Sequence, residues 1–420
     1  MKKLLLSSAI FVFFFCFIFL EINFLKILIV LLLLLTISKG RKQKLFFNPY
    51  YIFVSTIISY FLYSHSIGGI FLSDLGLDTQ ILIILCLYAV FCGFVTGEFL
   101  KVKAIISGNY TENFYFVFIV GVLPSLIAIS LYGNTLDMSG EELLESKEKM
   151  SIPFFGQFAY WLPASIIIAC KKNVSRWIVI ATVASFIVAL MSVTKTGMLI
   201  ALMYLTIGLY IFNPDILKHR FVILIKKYSF IVLPVFIISF FIFNNSLRHE
   251  ASSDLEMSYV EKSNSKVWSS TYEFGQGMFL NYLYYCSPWS NLDYNIRKQH
   301  KKGYGSNTVA QFAHLLRLPE HRVEKLNPTF LNTHSFITDY YIDFGFFGAV
   351  IASYVLGIFI FFCYRKFGCS DDPLLLSFYI LVAFATFMLF FSNHFNQGYL
   401  LNYFITFVGY SSISRKLKLK

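Results

Sequence analysis

ILIILCLYAVFCGFVTGEF, residues 81–99, carries a single charge, Glu98, in nineteen positions. An α-helix rises about 1.5 Å per residue, so a run of this length covers the roughly 30 Å hydrocarbon layer of a bilayer. Comparable apolar runs recur along the chain, at 4–20, 22–38, 46–64, 114–133, 153–170, 177–193, 197–212, 228–244, 345–363, 374–391 and 398–413. Together these windows predict an all-α polytopic membrane protein of about 12 transmembrane helices. The tightest join lies between the seventh and eighth windows, at Thr194 to Thr196.

Composition agrees. Apolar residues make up 57% of the 420, and charged residues only 14%. Soluble domains carry about a quarter charged residues, so this chain lacks the polar surface that would keep it dissolved. Mean hydropathy is +0.65. The first residues, Lys2 and Lys3 before Leu4 to Leu20, begin as a signal peptide does. They lack a small-residue cleavage site and run into a second apolar stretch, so an uncleaved first span is expected.

The formal charge of +12 points to membrane orientation, with no nucleic acid expected as a partner. Starting from a cytoplasmic N-terminus, 21 Lys and Arg fall in inner segments, against Lys147, Lys149 and Lys195 in the short outer turns. Such a bias places both termini in the cytoplasm. The acidic stretch Asp137 to Glu148 then lies outside. Six of the seven cysteines sit in or beside apolar runs, and only Cys286 falls in the long loop, so no disulfide framework is implied. No metal-ligand spacing and no phosphate-cradling glycine loop occur, so neither a metal nor a cofactor is expected.

One segment breaks the rhythm of short connections. The chain divides into spans 1–9 (1–244), a large outer loop (245–335) between spans 9 and 10, and an interfacial helix with spans 10–12 (336–420). Loops this long are functional or disordered. Trp268, Tyr272, Phe274, Phe279, Tyr282, Tyr284, Tyr285 and Trp289 make short folded helices the expectation here. The loop's charge is polarised: residues 245–294 hold three cations and six acids, whereas 295–335 hold seven cations and two acids. Cations outside the membrane oppose the orientation bias. A solvated loop face accounts for them; an anionic ligand such as a lipid phosphate or pyrophosphate is the sharper reading. Of eight histidines, all but His219 face outward in this topology, where a neutral imidazole can act as a base near pH 7.

The chain returns to the membrane through NPTFLNTHSFITDYYIDFGFFGAVIASYVLGIFIFFCYRKFG, residues 327–368. Ser335, Asp339 and Asp343 recur at i, i+4 and i+8, so a helix puts them on one polar face. Gly345 and Gly348 permit close approach of another helix or of a ligand. An amphipathic interfacial helix explains the acids better than a site does, and ordinary helix packing explains the glycines better still. His334 is harder to explain as structure, because a polar turn at a membrane mouth has little need of histidine.

The pattern His334-Ser335, nine residues, Gly345-x-x-Gly348 resembles a motif of O-antigen ligases and related polymerases of lipid-linked glycans. The wording DYYIDFGFFGAVIASYVLGIFI, residues 339–360, more closely resembles Wzy-type oligosaccharide repeat unit polymerases, which are similar also in having many spans and one large late loop. The resemblance covers the architecture of the whole chain and the wording of about forty residues. It implies a GT-C-like fold in the bacterial inner membrane, and undecaprenyl-pyrophosphate-linked glycan as substrate at the periplasmic face. It also implies a chain-length regulator protein as a partner alongside the bilayer.

On this resemblance His334 is the catalytic candidate. Arg317 and Arg322, then Arg248, are the candidates for the pyrophosphate. Residues 310–318 have helical spacing that sets His314 and Arg317 on one turn, and Pro319 ends it, so Arg322 belongs to a separate element. Where the family carries an arginine in a short outer turn, this chain has Lys195, which neutralises phosphate without the bidentate fork. Asp339, Tyr340 and Asp343 are the candidates for contacting glycan. A ligase acting on lipid A core shares the spacing, and a flippase is the alternative from another class. The halves show no internal repeat, and Lys26 is the one plausible mid-span charge, which disfavours transport.

Overall fold

The computed structural model describes residues 24–43, 45, 47–66, 75–102, 113–132, 161–191, 195–212, 288–298, 302–308, 333–396, 400–407 and 410. All regular structure among them is helical. The helices are α1 (Phe24–Gly40), α2 (Pro49–Ser66), α3 (Leu77–Phe99), α4 (Phe114–Tyr132), α5 (Trp161–Lys171), α6 (Ser175–Met191), α7 (Lys195–Phe212), α8 (288–298), α9 (Phe336–Cys363), α10 (Pro373–Phe387) and α11 (400–407). Among the described residues, three stretches are long and apolar enough to cross a membrane: Leu77–Phe99, Phe336–Gly368 and Pro373–Phe390. Shorter apolar helices accompany them. The windows at 4–20 and 228–244 lie outside the described residues.

Local sequence sets several helix starts. Asn48 accepts a hydrogen bond from the Tyr51 amide (3.2 Å), and Pro49 follows it in the first helical position. Asp372 and Pro373 repeat the device at α10, where the carboxylate accepts from the amides of Leu374 (2.9 Å) and Leu375 (3.3 Å). Asn113 caps α4 through the Phe116 amide.

The faces are arranged as lipid requires. Along the second limb of α9, Phe347, Ile351, Val355 and Phe359 form a four-residue-spaced stripe of exposed side chains, with Phe347 81% exposed. The opposite face buries Ala349, Ser353, Leu356 and Ile360. Apolar outside with a hydroxyl inside is the reverse of a soluble helix.

The described residues fall into two compact units. The first takes in the described residues within 1–100, 233–362 and 385–396; the second those within 101–232, 363–384 and 397–420. In the first, α3 and α9 touch backbone to backbone. A Cβ on Gly93 would lie 2.3 Å from the Tyr354 carbonyl oxygen, and one on Gly357 2.3 Å from that of Val90. Small residues at such a crossing allow the van der Waals contact that holds helices together in lipid. Beside it the Tyr50 ring meets Phe91, Phe94 and Phe361 edge-on, at 5.8, 5.4 and 5.7 Å. Its hydroxyl donates to Glu98 (2.8 Å), which also binds Lys39 (2.9 Å) and Gln43 (3.0 Å). The one charge of the opening stretch is thus fully engaged.

In the second unit, Gly121 admits the backbone of Leu162, which a Cβ would approach to 2.3 Å. Phe114 stacks on Trp177 at 4.6 Å, and Tyr204 donates to the Ser377 carbonyl at 2.7 Å.

Candidate functional site

Within the first unit, α8 docks where α2 ends and α3 begins. Trp289 is fully buried; its indole N–H donates to Ser59 (3.0 Å), and its ring meets Tyr60 edge-on at 5.3 Å. Ser290 and the Tyr63 hydroxyl share a hydrogen bond of 2.9 Å. One turn on, the buried Asp293 accepts from the Gly76 amide (2.9 Å) and the Thr79 hydroxyl (2.6 Å), a carboxylate at the N-terminus of α3 supplied from a distant part of the chain. Arg297 Nε lies 2.7 Å from the same carboxylate, with the arginine side chain 57% exposed. Asn291 donates to the Thr333 carbonyl, which ties α8 to the residue before His334.

From there the chain enters α9, whose first limb carries the polar face. Ser335, Asp339 and Asp343 do share that face, and all three are buried. His334 Nε2 lies 3.0 Å from Asp339 Oδ1, and the histidine side chain is 23% exposed. In a neutral imidazole this contact puts the proton on Nε2, so Nδ1 keeps its lone pair. Nδ1 is buried and makes no hydrogen bond among the described residues. A buried polar atom without a partner calls for an explanation, an ordered water or a chemical role among them, and several other buried side-chain atoms among the described residues share this state. Tyr340 is buried with its hydroxyl beside the Asn393 side chain.

Asp343 has a different setting. Its carboxylate accepts from the Asn307 amide and side chain (3.1 and 2.9 Å) and from the Thr308 amide and hydroxyl (both 2.6 Å). Two backbone bonds, Gly303 to the Ile342 carbonyl (3.0 Å) and Tyr304 to that of Asp343 (3.1 Å), complete the attachment of residues 302–308. Asp343 therefore holds this loop against α9, and its oxygens have no acceptor capacity to spare for a sugar. Asp343→Ala would strip four donors of their partner. Hydrogen bonds to a charged group contribute about 1.5–3 kcal/mol each, non-additively, so a loss of about 3 kcal/mol or more is expected. It would be read as a lower melting temperature and as new protease cleavage at 302–308.

Gly345 then interrupts α9 with φ 72° and ψ −168°, a conformation open to glycine. Gly348 accommodates the turn-back, since a Cβ there would lie 2.2 Å from Phe344 Cβ. The two glycines make the corner between the buried polar limb and the apolar limb.

Of the other sequence candidates, Lys195 is the first residue of α7, in the second unit. Arg248, Arg317 and Arg322 lie outside the described residues. Sequence reading passed over Asp293 and Arg297, although their i, i+4 spacing beside Trp289 was a usable sign of a docked helix. Asn393, in the irregular turn after α10, had no such signal. Scanning protein-family models, curated proteins and solved structures for relatives of this chain returned no match.

Proposed function

We propose that this chain is an inner-membrane glycosyltransferase of about twelve spans and GT-C-like fold, both termini cytoplasmic, that polymerises undecaprenyl-pyrophosphate-linked oligosaccharide repeats at the periplasmic face. The observation that carries the proposal is the His334–Asp339 pair, with Nδ1 left as an unpartnered lone-pair acceptor just before α9, buried until substrate uncovers it.

In the reaction, Nδ1 of His334 takes the proton from the terminal sugar hydroxyl of a fresh lipid-linked repeat. The hydroxyl oxygen bonds to the anomeric carbon of the growing chain. The bond from that carbon to the pyrophosphate oxygen breaks with its electron pair, and undecaprenyl pyrophosphate departs. Asp339 stabilises the imidazolium, as the buried carboxylate of a catalytic triad does. Arg317, Arg322 and Arg248 are the cations proposed to neutralise the leaving group, where fixed positive charge lowers the barrier most.

The purified protein, reconstituted with undecaprenyl-pyrophosphate-linked repeats, is expected to yield a ladder of longer glycans without any nucleotide sugar. No ladder from the correct repeat would overturn the proposal. The spacing of His334-Ser335 to Gly345-x-x-Gly348 favours a ligase as the second reading; that enzyme would move glycan only onto lipid A core.

A further inference from the structure

Among the described residues, two non-glycine positions have positive φ: Asn173 (53°) and Tyr304 (47°). Asn173 follows the end of α5, where asparagine commonly supplies the left-handed residue. Tyrosine at 304 has no such excuse. It lacks a short polar side chain to compensate locally, and glycine would adopt the same backbone at less strain. Gly305 beside it is also left-handed, with φ 97°.

The surrounding turn is built to hold this conformation. Asp343 gathers Asn307 and Thr308, and the amides of Gly303 and Tyr304 bond to the backbone of α9. Gly303 is packed so closely that a Cβ there would lie 2.4 Å from Asp343 Oδ1. Yet the side chain this effort displays is 81% exposed, and its ring has no stacking or edge contact among the described residues. Strain held by so many bonds, for a ring that packs on no other ring among the described residues, points to a use outside the chain. Two residues earlier, Lys302 lays its side chain over the corner of α9, its Cε 3.6 Å from the position a Cβ on Gly345 would take.

We propose that Tyr304 is a stacking platform for a sugar ring of the lipid-linked substrate, with Lys302 beside it for the attached phosphate. The inference rests on the functional reading above and adds a subsite to it. The C–H face of a pyranose packs on an aromatic ring, and the ammonium suits an anion at the ring's edge. Asp343, which holds the platform, stands one helical turn from Asp339, about 6 Å along the axis. An aromatic residue that only anchors a protein at the lipid headgroups needs exposure alone. It would gain nothing from a left-handed backbone and a clamped turn.

Tyr304→Gly separates strain from function. In detergent, the full-length variant is expected to melt at or above the wild-type temperature, because glycine relieves the left-handed strain. The probe for binding is the host's own surface polysaccharide, freed of its lipid by mild acid. Its affinity should fall about five- to tenfold in Tyr304→Gly and stay near wild type in Tyr304→Trp. Wild-type binding untouched by Tyr304→Gly would overturn the platform and leave the functional reading standing. A lower melting temperature for Tyr304→Gly would overturn it as well, by making the ring structural. If the added fluorescence of Tyr304→Trp is quenched by brominated lipid but indifferent to glycan, the ring is a membrane anchor and the platform fails. Absence of glycan binding by the wild type would remove the functional reading and this inference together.

Discussion

His334→Ala is expected to leave the protein in the membrane and to abolish long-chain glycan. The side chain touches Asp339 alone among its resolved polar contacts and is partly exposed, so truncation opens little of the core. Chemically the loss is large. A positioned base contributes about 10²–10⁴-fold to proton transfer, and a sugar hydroxyl is a poor nucleophile without one. Asp339→Asn should also be impaired, because a neutral amide no longer stabilises the imidazolium. Its carboxylate is buried, so a conservative amide keeps the volume while removing the charge. The measurement is glycan length on a gel, with membrane levels of each variant followed by an epitope tag. Normal chain length in His334→Ala would sink the site.

Gly357→Leu should have the largest effect on the fold. A Cβ at that position would meet the Val90 carbonyl at 2.3 Å and the Gly93 Cα at 3.0 Å. Both are backbone atoms, so no rotamer change can relieve the clash, and α3 and α9 must separate. Overpacking of a tight core costs about 1–3 kcal/mol, and a forced helix separation belongs at or beyond the top of that range. Failure to accumulate in the membrane, or a melting temperature lower by many degrees, is the expected result. Gly76→Ala is the matched control. Its φ of −57° suits alanine, and the nearest atom to the new Cβ is 3.4 Å away. A wild-type melting temperature for Gly357→Leu would show that the crossing is looser than described.

Much of the helical layout was legible because lipid imposes a simple rule, a long apolar run for each crossing. The windows 81–99, 114–133, 177–193 and 197–212 each fall within a few residues of a helix. The polar face of Ser335, Asp339 and Asp343 was visible as well, from its four-residue spacing. Its burial was not, because for Asp343 the covering partners come from thirty-five and thirty-six positions earlier. Asp343 shows the point. Spacing alone offers it to a glycan, whereas Asn307 and Thr308 claim both its oxygens. The helix contact at Gly93 and Gly357 was legible only in part. Each glycine has a small neighbour four residues away in its own helix, Gly97 for Gly93 and Ser353 for Gly357, a packing pattern that went unread; what the sequence lacks is which helix each face meets. Gly345 and Gly348 stood out in the sequence, and they serve the corner of α9 instead of a contact between helices.

Deleting the gene and reading the surface glycan on a gel tests the central claim most directly. A polymerase predicts that single repeats remain attached to their acceptor while every longer rung disappears, and that the wild-type gene restores the ladder. A full ladder in the deletion strain, or the absence of even single repeats as a lost ligase would give, would contradict it.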